Sequence, residues 1–180
     1  MPGKLRNLAA AAGAAARAAV EQGRGAVELR RHSGGLAARN GLAHAGAIMP
    51  STAVLQAIIA GFGLSSVIDD DGDLTVRREN YSVYFFHFGE DAEVLQARLY
   101  LNRRFEVELR PTLALLLDDW NRSKLFPKAY TVLPDDGLVG ICAEQAFDFE
   151  GGTNPAQLTF TVGIWLHNLE QFAEWVEEHV

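Results

Sequence analysis

The sequence predicts an α+β domain over residues 50–180, an antiparallel sheet carrying helices in the order α-βββ-α-ββ-α. Three observations predict it. Residues 93–101 alternate strictly, with Leu95, Ala97, Leu99 and Leu101 on one face and Gln96, Arg98 and Tyr100 on the other, the period of a strand with one covered side. Leu158, Val162, Trp165, Leu169, Phe172 and Val176 recur at helical spacing, a stripe along one long helix. Between them, Pro134, Asp135, Asp136 and Gly137 separate two β-type runs, the composition of a tight hairpin turn.

Each element has its own signal. Ser51 is suited to cap a helix whose Val54, Leu55, Ile58, Ile59 and Phe62 form an apolar face, ended by Gly61 and Gly63. Strands are expected at 64–68 with 74–78, as a short hairpin or one bent strand around an Asp-rich turn, then at 82–88 and 93–101. Pro111 opens a second helix, where a missing N–H costs little; Leu113, Leu116, Leu117 and Trp120 make its apolar face, and Pro127 sets its end. Strands at 128–133 and 138–146 follow as a hairpin. Asn154, Pro155 and Gln157 then read as a capping box that starts the last helix.

The first 49 residues differ in kind. They hold fifteen alanines and eight glycines but none of the protein's aromatic residues, so they are expected to form a mobile extension without a core. A targeting peptide, a basic arm, and an extension of no specific role upstream of a working start at Met49 are the competing readings. The extension carries seven Lys/Arg against two Asp/Glu, +5, which leaves −12 for the rest of a chain whose formal total is −7. A body that acidic repels phosphate backbones, so no nucleic-acid partner is expected for the main domain, and a basic protein segment suits it better.

Residues 40–68 lack any charged side chain, but His44, Pro50, Ser51, Gln56 and four glycines interrupt them, and the mainly apolar piece at 53–64 is too short for a membrane span. One cysteine, Cys142, excludes an internal disulfide and fits a reducing cytoplasm.

Little in the chain points to catalysis. No phosphate loop, nucleophile elbow or zinc pair is present, and no cofactor or metal site is expected. Placing Gly72 in the glycine position of a calcium loop puts Val67 and Arg78 at its first and twelfth ligands, so Asp69–Asp73 reads as an exposed turn. Cys142, in an apolar strand, reads as an inert buried thiol, and His87, among aromatics, as a packed or edge residue. Asp118 and Asp119 are adjacent on a helix and point about 100° apart, so they do not share a proton; near a helix C-terminus they suit a basic partner. Phe160, Ile164 and Trp175 fall off the buried stripe of the last helix. With Asp118 and Asp119 they are the expected partner-binding or dimer surface.

Trp120-Asn121-Arg122-Ser123-Lys124-Leu125-Phe126-Pro127-Lys128-Ala129-Tyr130, the Ala143-Glu144 pair and the 151–158 approach to the last helix resemble the YbjN-domain family of bacterial sensory transduction regulators over residues 50–180. The resemblance implies a fold similar to type III secretion chaperones, no enzymatic chemistry, and a link to regulation and stress responses. The expected function is therefore a cytoplasmic, non-enzymatic homodimer that binds peptide or protein segments. The rival is a small-ligand sensor using Tyr84, Phe86 and Tyr130 between sheet and helices. An enzyme gathering Asp118, His87 or Glu144 in a polar pocket comes third.

Overall fold

The computed structural model describes residues 47–180. Of the expected mobile extension over residues 1–49, residues 1–46 lie outside those described. Among the described residues, the order is α1 (Thr52–Gly61), β1 (Val67–Ile68), β2 (Leu74–Arg77), β3 (Tyr81–Phe88), β4 (Val94–Leu101), a 3-10 turn (Val107–Leu109), α2 (Arg110–Ser123), β5 (Lys128–Val132), β6 (Gly140–Asp148) and α3 (Pro155–His179). This is the α+β class expected. The Asp-rich turn makes a hairpin and not a bent strand, because Asp69 Oδ1 accepts the N–H groups of Asp71 at 3.1 Å and Asp73 at 2.9 Å while Gly72 takes φ +88°.

The six strands form one antiparallel sheet in the order β1-β2-β3-β4-β6-β5. β4 pairs with β6 rather than β5, so α2 carries the chain past β6's place to the far edge. Arg98 stands between Tyr84 on β3 and Glu144 on β6, which sets the side-chain rows of the central sheet. Before α1, Ile48 bridges Thr153 through hydrogen bonds of 2.8 and 3.0 Å.

All three helices lie on one face. Leu55 and Ile59 of α1, Leu113, Leu117 and Trp120 of α2, and the entire Leu158-to-Val176 stripe of α3 pack with Val83, Phe85, Leu95, Ala97, Leu99 and Ile141 in one cluster. Half of the capping box forms: Asn154 Oδ1 accepts Gln157 N–H at 2.8 Å, whereas the Gln157 side chain reaches forward to Thr161 Oγ1. The junction after α2 is tied by two side chains. Asn121 accepts the Ala129 N–H at 2.9 Å and donates to the Ala129 carbonyl at 2.8 Å, supplying β5 with the partner its outer edge otherwise lacks. The Phe126–Pro127 peptide bond is cis.

The expectation of one covered face is corrected here. Gln96, Arg98 and Tyr100 are 9%, 4% and 3% exposed, and Tyr84, Phe86, Tyr100 and Cys142 form a second buried cluster on the face away from the helices.

Candidate functional site

The exposed apolar residues of α3 form one wall of a groove. Phe160 is 66% exposed and Ile164 41%, and across from them Phe62, just past the end of α1, is 43% exposed. Pro155, Ala156, Thr159, Gly163 and His167 complete a groove of about 630 Å³. Gly163 lets this form, because a Cβ there would stand 3.1 Å from Phe62 Cζ; the ring lies against bare helix backbone.

The groove continues into a recess of about 310 Å³ that shares Phe62, Gly163 and His167. Its floor is Leu64, Val76, Val83 and Leu166, and its rim bears Arg78, Tyr81 and Glu170. Burial foremost, then Glu170, raises the Tyr81 phenol above its ordinary range, against the opposing pull of Arg78. The rim thus presents a cation, a neutral hydroxyl and a carboxylate above an apolar floor.

The expected surface residues divide among three places. Phe160 and Ile164 share the groove. Trp175 turns inward against Trp120, with ring centres 5.1 Å apart, and His179 stacks on its other side at 4.6 Å. Asp118 and Asp119 are exposed on α2 and both pair with Arg122, Asp118 at 3.4 Å. Phe62 and Gly163 were not singled out as site residues from sequence. The signal was there in part, an aromatic residue between Gly61 and Gly63 at a helix end.

The second face holds the charged network of the sheet. Arg98 Nε lies 2.8 Å from Glu144 Oε2, and Tyr130 O–H donates to the same oxygen at 2.6 Å. Arg98 Nη1 donates to Tyr100 Oη at 3.3 Å, and the guanidinium sits 5.3 Å from the centre of the Phe86 ring. Burial raises the Tyr100 and Tyr130 phenols well above their usual range and pushes the Cys142 thiol up to about 12. Glu144 is ion-paired with Arg98 and accepts from Tyr130, and burial keeps the Cys142 thiol protonated, the opposite of what a nucleophilic cysteine needs.

Tyr84, Phe86 and Tyr130 also belong to this face, so they do not line a cavity between sheet and helices. His87 contacts the Pro50 carbonyl through Nε2. It therefore stands apart from Asp118 on α2 and Glu144 on the opposite face, and the three do not gather. Among the described residues no three His, Cys, Asp or Glu side chains cluster as metal ligands, and no helix is long and apolar enough to cross a membrane.

Residues 51–178 match the YbjN family, described as "Putative bacterial sensory transduction regulator". A crystal structure of YbjN from E. coli, described as a putative transcription regulator, superposes with a TM-score of 0.62 at 16% identity, covering 74% of this chain and 96% of that one. At that identity the likeness is one of fold. No curated protein matches the sequence.

Proposed function

This chain belongs to the YbjN family, and from that premise we propose that it is a cytoplasmic, non-catalytic regulator that holds an apolar segment of another polypeptide in the α1–α3 groove and works as a homodimer. The family's description is that of a regulator, which is not an enzyme class. The observation that carries the binding reading is the grouping of Phe62, Phe160 and Ile164, three large exposed apolar side chains around one groove. Contiguous apolar area of this kind marks recognition surfaces, and helical or extended segments dock in such grooves through a few apolar anchors. The net charge of −12 beyond residue 49 favours a partner segment with basic flanks. Leu115 at 71% and Leu125 at 76% exposure, on α2 and its exit, are the apolar area that supports self-association.

Affinity capture comparing the wild-type protein with Phe160→Asp and Ile164→Asp variants tests the groove. A partner retained by the wild type and lost from both variants is expected; equal recovery from all three contradicts the reading. Light scattering at tens of micromolar separately tests the dimer, which a single-chain mass would remove.

One observation favours a second reading. The recess beside the groove joins an apolar floor to Arg78, Tyr81 and Glu170, a lining suited to a small amphipathic ligand. A metabolite thermal-shift screen distinguishes it, since a stabilisation abolished by Arg78→Ala is expected only for a ligand in that recess.

A further inference from the structure

The groove and the recess beside it form one path along α3, and the chemistry of that path changes from one end to the other. Phe62, Gly163 and His167 line both, so the two are continuous. The apolar residues Phe160 and Ile164 belong to the groove, and Glu170 belongs to the rim of the recess. At the usual helical rise Glu170 stands about 9 Å beyond Ile164 along the helix axis.

This change is written in the two helices that wall the path. α1 has no charged residue, and α3 has no Lys or Arg; its carboxylates Glu170, Glu174, Glu177 and Glu178 all fall in its second half. Glu177 accepts a hydrogen bond from the Asn80 side-chain amide. Glu170 and Glu174 are exposed and, among the described residues, form no ion pair. Both act on the Tyr81 phenol, Glu170 more strongly, which places them beside the recess; Arg78 supplies the opposing charge. Two carboxylates therefore face one guanidinium at this end.

Below the rim the floor is hydrocarbon, made by Leu64, Val76, Val83 and Leu166. A carboxylate above an apolar trough complements a long cationic side chain, whose methylene stem packs on apolar surface while its head stays at the edge of the water. A carboxylate-bearing group in the same place would meet Glu170 and Glu174 at like charge.

We propose that a lysine or arginine of the bound polypeptide segment enters this recess, with its stem on Leu64, Val76, Val83 and Leu166 and its charged head at Glu170 and Glu174. Given the groove reading on which this rests, the apolar side chains of the same segment lie on Phe62, Phe160 and Ile164. The spacing within the segment follows from the 9 Å between the two ends. A helical segment, at about 1.5 Å per residue, sets its basic residue about six positions from the nearest apolar anchor, and an extended one, at about 3.3 Å, about three.

Parallel display selections on the full-length protein test this. A random-peptide library is selected on the wild type, on the Glu170→Gln/Glu174→Gln double variant and on Ile164→Asp. Both glutamates are exposed on the helix, so the double variant keeps the fold. The wild type is expected to return peptides that join apolar residues to a Lys or Arg at one of the two spacings. The double variant is expected to return the apolar residues without the basic preference, and Ile164→Asp neither. In titrations of a wild-type-selected peptide, exchanging its basic residue for glutamine should weaken binding about two- to fivefold in the wild type and leave it unchanged in the double variant. Selected peptides without basic enrichment, or an equal loss in both proteins, overturn the inference and leave the groove reading standing. The same peptides from Ile164→Asp, or none from any of the three proteins, overturn both.

Discussion

The Nε1–H of Trp120 donates a hydrogen bond to the carbonyl oxygen of Pro127 at 2.9 Å, so the side chain that anchors the end of α2 in the core also fixes the turn that leads into β5. The indole is 4% exposed and packs edge-on against Phe172 with ring centres 5.2 Å apart. Trp120→Ala is expected to lower unfolding free energy by about 3–5 kcal/mol in urea titration, and Trp120→Phe by about half as much, since it keeps most of the packing and loses the donor. A loss under about 1 kcal/mol for the alanine variant would show that this packing is not needed.

Asn121 acts as a side-chain imitation of a neighbouring strand, making both hydrogen bonds that a strand would offer Ala129. Asn121→Ala leaves an N–H and a carbonyl at the sheet edge without their partner and is expected to cost about 1–3 kcal/mol. Asn121→Asp keeps the acceptor but turns a carboxylate oxygen toward the Ala129 carbonyl. Hydrogen exchange at the Ala129 amide should accelerate most in the alanine variant; an unchanged rate would contradict the pairing.

The Arg98–Glu144 pair gives a non-additive prediction. Glu144→Ala strands a guanidinium that is 4% exposed and is expected to destabilise by about 3–5 kcal/mol, whereas the double variant Arg98→Met/Glu144→Leu, which removes both charges, costs less than that single change. Additive losses would mean that the two groups do not depend on each other.

Asp73 predicts a pH dependence. Its partial burial, with Asp69 and then Asp71 nearby, pushes its carboxyl up to about 6 from an ordinary 3.8. The folded state holds this proton more tightly than the unfolded state. The contribution of Asp73 is thus fully present below the unfolded value and is lost as pH rises through about 6. Asp73→Asn should flatten the stability profile between those values and, after discounting for solvent screening of a half-exposed group, stabilise by under about 1 kcal/mol at pH 7. An unaltered profile would contradict the shift.

What could be read from the sequence follows from how local each signal is. The α3 stripe, the Ser51 and Asn154 caps and the Pro134–Gly137 turn depend on neighbours a few residues apart, and they form as expected. The second face was misread for the same reason. Alternating Gln96, Arg98 and Tyr100 look like a solvent-facing row until β6 brings Glu144 and Cys142 beside them, and that adjacency depends on the path of α2. Only Phe160 and Ile164 of the expected surface residues share the groove. Trp175 was taken for exposed because it lies off the α3 stripe, but Trp120 reaches it from another helix. Phe62 and Gly163 are 101 positions apart by their numbers, and nothing local relates them.

The most direct test of the binding groove is calorimetric titration of an apolar peptide, selected from a display library on the wild-type protein, into the wild type, Ile164→Asp and Leu133→Asp, the last at an exposed position away from the groove. The account predicts affinity at least about tenfold weaker for Ile164→Asp, a loss of about 1.4 kcal/mol, and no change for Leu133→Asp. Equal affinity for all three proteins, or a loss confined to Leu133→Asp, would contradict it.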